Sequence, residues 1–153
     1  MKIHRDPRAV VPLQLVAGVA LCAVGANAPA SAAAFLCFPL VEYAVHRWAF
    51  HGPASRLHDA HHKYPSDLSH FAVPPWVTAA VATVVALVSV PVAGGLLVGM
   101  CAYDAAHLAC HGKVWFPFRR ALAKHHAMHH LHADKNFSVS TPALDKILCS
   151  LHP

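Results

Sequence analysis

Charge is scarce in this chain. Only 12% of its 153 residues are Asp, Glu, Lys or Arg, about half of the roughly 25% typical of a soluble domain. Acids are the scarcest, seven against twelve Lys and Arg. Hydrophobic residues reach 56%. That balance argues against a water-soluble globule and equally against a disordered chain. Two long stretches, Ala9 to Val41 and Leu68 to Tyr103, hold no charged residue at all. The five cysteines form no C-x-x-C pair, which removes the usual thiol metal and redox motifs and leaves them as small apolar residues. No internal repeat is present, and the length suits one domain over 1–153.

What is there follows from the two uncharged stretches. A spanning helix needs about 20 apolar residues, with about 17 as a lower limit. Each stretch is long enough for a tight hairpin of two short spans, and each has turn residues near its middle. These are Asn27-Ala28-Pro29 in the first and Pro91-Val92-Ala93-Gly94-Gly95 in the second. The expected architecture is all-α and integral to a membrane. Four transmembrane helices, roughly 9–26, 30–49, 74–91 and 95–112, form two hairpins beneath a helical, histidine-rich cap. The Ala-rich run from Ala28 to Ala34 reads as close helix packing.

The basic residues give an orientation. Lys2, Arg5 and Arg8 precede the first helix. Arg47, Arg56 and Lys63 lie at or after the end of the second, and Lys113, Arg119, Arg120, Lys124, Lys135 and Lys146 follow the fourth. The hairpin tips carry none, so both termini, the 50–72 loop and the cap are expected on the cytoplasmic side. This pattern points to a membrane surface and not to nucleic acid. The first 32 residues also have the outline of a signal peptide. Its cleavage would leave every later residue on the same side.

Histidine is the abundant residue, 15 in all. Ten fall into four boxes: His46 and His51; His58, His61 and His62; His107 and His111; His126, His129 and His130. Each box lies at or beyond the cytoplasmic end of a predicted helix. A lone histidine is ordinarily a surface or satisfied core residue, and that reading suits His4, His70 and His152. It fails for the boxes together. Ten imidazoles gathered at one face would be desolvated without a partner and would repel one another if protonated. A metal removes both costs, because the neutral ring is the ligand form. Ten ligands suit two metals with about five each, against the four of a simple zinc site. Imidazole suits iron, zinc, copper and nickel alike. If helical, each H-x2-H-H box would point its three rings one way. His46 and His51 would stand about 140° apart on an ideal helix, so that box is expected to straddle the helix end.

Three acids are placed to accept the second N–H of a ligand ring: Glu42 before His46, Asp104 before His107 and Asp59 before His62. A solvated loop is the plain alternative for Asp59. His125, Tyr103 and Asn136 are possible additions to the site. Lys113, Arg119, Arg120 and Lys124 read first as membrane anchoring, as do Trp115, Phe116 and Phe118.

The box order resembles the membrane-bound fatty acid hydroxylase/sterol desaturase superfamily, from about Glu42 to Leu148. The carriers are His46-Arg47-Trp48-Ala49-Phe50-His51, the run His58 to Asp67, Phe71-Ala72-Val73-Pro74-Pro75, and Tyr103-Asp104-Ala105-Ala106-His107 with His111. His126-Ala127-Met128-His129-His130 and Asn136 to Pro142 complete the set. Leu144 stands where an aromatic residue is usual, and the ending from Cys149 is atypical. The resemblance implies two histidine-ligated non-haem iron ions, replaceable by zinc in purified protein, with O2 as co-substrate. It implies hydroxylation of a lipid drawn from the bilayer, first of all a fatty acyl chain. The cytochrome b5-like domain of some members has no room here, so a separate donor, cytochrome b5-like or a ferredoxin, is expected. The first two boxes also resemble bacterial carotenoid hydroxylases. A carotenoid or sterol hydroxylase or desaturase is therefore the nearer alternative, and a non-catalytic metal-binding or metal-transport membrane protein the more distant one.

Overall fold

The computed structural model describes residues 6–68 and 73–152. Lys2, His4, Arg5, His70, Phe71 and Ala72, used above, lie outside the described residues. Among the described residues all regular structure is helical. Helix α1 spans Pro7–Gly25 and α2 spans Ala28–Ala44, running on without a break into a π-helical turn, Val45–Phe50. A 3-10 turn, Ser55–Leu57, and a short α3, Asp59–Lys63, follow. Then come α4 (Pro75–Val88), α5 (Val90–Cys110), α6 (Arg119–Leu131) and α7 (Ala143–Ile147).

The first hairpin turns where its sequence asks it to. Asp6 caps α1 by accepting from the Arg8 N–H (2.9 Å), and Pro7 occupies the first turn, where no N–H is needed. The helix ends on Ala26 in the left-handed region (φ 47°), and Asn27 caps α2 through the Ala30 N–H (3.1 Å).

The second hairpin turns elsewhere than expected. The break is at Ser89, whose backbone is extended (φ −156°, ψ 104°). Pro91 sits in the first turn of α5, and Gly94 and Gly95 lie inside that helix. The two glycines serve contact between helices. A Cβ on Gly94 would come within 2.7 Å of the Cys22 nitrogen, and one on Gly95 within 2.8 Å of the Ala34 Cβ. Without side chains there, α1 and α2 both close onto α5.

Helix α5 is thus the centre, packed against α1, α2, α4 and α6. Its buried face includes Ala93, Leu97, Cys101, Ala106 and Leu108. Phe38, Tyr103 and Val139 form the apolar core between the spans and the cap. Leu13, Val16, Val19, Leu36 and Leu40 are exposed on α1 and α2, the pattern of helices with a lipid-facing side.

Among the described residues, three helices are long and apolar enough to cross a membrane: Pro7–Gly25, Ala28–Phe50 and Val90–Cys110. The fourth expected span, 74–91, is observed as α4 with 14 residues. At 1.5 Å per residue it is about 21 Å long, against a hydrocarbon core of about 30 Å. The chain is therefore membrane-associated, with three candidate spans and one shorter apolar helix.

Candidate metal centre

Each histidine box owes its aim to its local backbone. On an ideal α-helix His46 and His51 would diverge, but the chain between them is a π turn. The His51 N–H bonds the His46 carbonyl five residues back (3.2 Å), and the two Nε2 atoms come within 3.3 Å. The π turn, with His51 as its C-terminal cap residue, turns H-x4-H into a pair of facing rings. His107 and His111 are paired by ordinary α-helical i, i+4 spacing, their Nε2 atoms 3.3 Å apart.

The two H-x2-H-H boxes do not point three rings one way. Each splits. His58 and His62 pair at i, i+4 (Nε2 to Nε2, 3.1 Å), while His61 turns to His107 (3.0 Å). On α6, His126 and His130 pair (3.0 Å), while His129 turns to His51 and His62 (both 3.1 Å). Neighbouring residues on a helix stand about 100° apart, so the i+3 and i+4 rings of one box can serve two different centres.

The ten histidines thereby divide five and five. One group is His46, His51, His58, His62 and His129; the other is His61, His107, His111, His126 and His130. Within each, the donor atoms all lie within 4.8 Å of one another. Each group takes two boxes' pairs and one single ring from a third box. The groups are neighbours, with the His62 and His130 rings 4.6 Å apart.

This geometry cannot be a hydrogen-bond network. His107 Nε2 lies 2.9–3.3 Å from the Nε2 atoms of His61, His111 and His126. A neutral ring nitrogen offers either one N–H or one lone pair. Lone pairs converging on one point fit a cation. At about 2.1 Å from an ion, nitrogens 2.9–3.3 Å apart subtend roughly 90–105°, ordinary angles between neighbouring ligands. Each group could therefore hold a metal ion.

The electrostatics agree. His46, His58, His61, His107, His126 and His129 are buried, and the other four rings are partly so. Burial, reinforced by neighbouring rings, lowers His61 to about 2, His129 and His130 to about 3, and His62 to about 4. Burial, with the charge of Lys113, lowers His111 to about 4. His58 and His126 are likewise pushed well below their ordinary value by burial and neighbouring rings. The rings are thus neutral near pH 7, the form that can bind a metal.

A pH dependence follows for the metal-free protein. Unfolding returns these rings to their ordinary 6.5, so below that pH the unfolded chain binds more protons than the folded one. Stability is full above pH 6.5 and falls as pH drops from there through the folded values of about 4 to about 2. Thermal melts of chelator-treated protein should shift downward between about pH 7.5 and about pH 4.5. An unchanged midpoint over that range would contradict the burial of neutral rings.

The other expected site residues are placed as follows. Glu42 does not reach His46: it accepts from the Val139 and Ser140 N–H groups and from the Ser140 hydroxyl. Asp104 accepts from Gln14 Nε2 (2.8 Å) on α1, and this, not His107, is its hydrogen-bond partner. Asp59 is exposed at the start of α3 and acts on His51 and His62 through its charge alone. His125 lies outside both groups and bonds Asp145 (3.0 Å). Tyr103 is buried with its ring 5.6 Å from His107. Asn136, in the left-handed region (φ 54°), ties the tail to the carbonyls of His125 and His152.

Sequence reasoning missed Gln14 and Asp145. The signal for Asp145 was its rarity, one of seven acids, set beside Leu144 and Ile147. It is fully buried and accepts from His125, Ser150 and the N–H groups of Phe137 and Ser138. Burial works to raise its carboxyl, yet these donors hold it below the usual value.

An apolar cavity of about 200 Å³ adjoins the first group between α2, α4 and α5. Glu42, His46 and Phe50 line it from α2 and its π turn, Val81 and Val85 from α4, and Ala93 from α5.

Residues 31–150 match the family described as fatty acid hydroxylase. The chain is 30% identical over 136 residues to the dihydroceramide fatty acyl 2-hydroxylase FAH2 of Arabidopsis thaliana, covering 76% of this chain and 57% of that protein. It is 31% identical over 144 residues to the fatty acid 2-hydroxylase of Rattus norvegicus, covering 77% of this chain and 38% of that protein. The chain thus spans between about two fifths and three fifths of the length of these relatives. A solved structure of full-length scs7p, with only its hydroxylase domain visible, has the same fold: TM-score 0.68 at 24% identity, over 95% of this chain and 63% of that one.

Proposed function

Because the chain belongs to the fatty acid hydroxylase family, we infer that it is an O2-dependent di-iron monooxygenase that hydroxylates a fatty acyl chain, with C2 the favoured carbon. The observation that carries this reading is an apolar cavity lined by His46 of one of two adjoining five-histidine groups. In this reading His46, His51, His58, His62 and His129 hold one iron, and His61, His107, His111, His126 and His130 hold the other. Bound iron would supply activation of O2, so that one oxygen atom enters a C–H bond and the other leaves as water, with two electrons from a separate donor protein and two protons from solvent.

The chain's own residues provide the rest. The backbone carbonyls of Phe137 and Lys135 accept the Nδ1–H of His46 and His129, leaving Nε2 of each ring as the donor to metal. Val77, Val81, Leu96 and Met100 line a dry sleeve for the acyl tail. Attack at a carbon near the head-group end suits the 2-hydroxylase names of both relatives.

Expression in a host that makes both fatty acids and carotenoids, followed by mass spectrometry, tests this. Acyl chains should gain one oxygen atom derived from labelled O2. Hydroxylated carotenoid with unaltered acyl chains would favour the nearer alternative. Metal uptake without O2 consumption by the iron-loaded, reduced protein would favour the distant one.

The proposed topology has four passes, α4 being a short fourth one, with the termini and the cap cytoplasmic. A reporter fused after the last residue should read cytoplasmic, and one inserted at Asn27 exterior. A cytoplasmic reading at Asn27 would remove the first hairpin.

A further inference from the structure

The tail from Lys135 to Ser140 touches one histidine group through its backbone. His129 Nδ1 donates to the Lys135 carbonyl (2.7 Å), and His46 Nδ1 donates to the Phe137 carbonyl. Both rings belong to the first group. The buried Nδ1 atoms of His126 and His130 in the second group, and of His58 in the first, have no hydrogen-bond partner among the described residues.

A carbonyl is aimed by its peptide plane. The C=O of one residue and the N–H of the next are rigidly held in one plane and point opposite ways. Fixing the N–H therefore fixes the C=O. The Phe137 carbonyl shares its plane with the Ser138 N–H, which Asp145 Oδ2 holds at 2.8 Å. The Lys135 carbonyl shares its plane with the Asn136 N–H, which the Ser150 carbonyl holds at 2.9 Å. Ser150 is itself tied to Asp145, by its hydroxyl to Oδ1 (2.7 Å) and by its N–H to the Asp145 carbonyl (2.8 Å). Asp145 Oδ1 also takes the Phe137 N–H (2.8 Å). Both carbonyls that meet the first group are thus anchored on one fully buried carboxylate residue.

We propose that Asp145 is a positioning residue for the first metal site: besides its bond to His125 Nε2 on α6, the helix that carries rings of both groups, it aims the Phe137 and Lys135 carbonyls that fix the tautomer of His46 and His129. The two metal positions are then inequivalent, one dependent on the tail and one not. This rests on the reading of the two groups as metal sites.

The full chain in detergent, loaded with Zn2+ alone, tests it. Zinc release is followed against a graded chelator in wild type and in Asp145→Asn. Wild type should release two zinc ions per chain. Asp145→Asn should weaken one of them by about 10–100-fold, the usual penalty for a lost outer partner, and leave the other in place. In a His107→Ala/His111→Ala background, which retains the first group, the zinc that remains should be the weakened one. Equal weakening of both ions, or of neither, overturns the proposal, as does an unweakened ion in that background. Should Asp145→Asn not fold, Asp145→Glu decides by the same criterion, since it keeps the carboxylate but displaces it from the Phe137 and Ser138 N–H groups. Wild type that binds no zinc would instead overturn the metal reading itself.

Discussion

His129→Ala and His61→Ala should each cost the protein one metal and all measurable hydroxylation. These two rings are the most informative because each leaves its own box to serve the other box's group. His129 shares α6 with His126 and His130 but meets His51 and His62 at 3.1 Å. His61 shares α3 with His62 but meets His107 at 3.0 Å. Removing either leaves four of five donors in one group and all five in the other. Metal content should therefore fall from two towards one per chain, from different groups in the two variants. Activity should reach background in both, because the proposed chemistry uses the pair. His132→Ala is the control: His132 stacks on His152, outside both groups, and should retain two metals. Elemental analysis on protein purified without chelator gives the answer. Two full equivalents in both box variants would mean that the groups are not the ligands.

Filling the cavity should separate substrate from metal. Ala82 lines the cavity from α4, while every metal-group residue lies on α2 and its π turn, the loop and α3, α5 with His111 at its end, or α6. Ala82→Phe places a ring in a space of about 200 Å³. One misplaced methylene in an apolar pocket changes discrimination about tenfold or more, so a ring should lower turnover of long acyl chains at least about tenfold. Shorter chains should suffer less, and metal content should stay at two. Product profiles across a chain-length series measure this. An unchanged profile would place the acyl chain elsewhere.

The legible part of the fold was the part set by local chemistry. Asn27 and Pro29 ended one helix and began the next because capping and proline act within a few residues. Pro91-Val92-Ala93-Gly94-Gly95 misled for a related reason. Proline and glycine mark turns in water, but Pro91 also fits a helix's first turn, and Gly94 and Gly95 also admit a neighbouring helix. Only the positions of α1 and α2 distinguish the two uses. The length of α4 was overread because an uncharged stretch does not show where its helix stops.

The sequence by itself determined that this chain is helical, membrane-associated and built around ten clustered histidines. Those properties rest on composition and spacing, and the scarcity of charge leaves few alternatives. The tertiary structure decided which rings meet. A π turn, invisible to a 3.6-residue period, brings His46 to His51. His61 meets His107 on α5, and His129 on α6 meets His51 and His62, each away from its own box. The tertiary structure also decided what the acids do. Glu42 and Asp145, 103 positions apart, hold four successive N–H groups of one tail segment. Backbone partners have no residue signature, so an acid that grips a distant peptide reads in sequence like one that grips the nearest histidine.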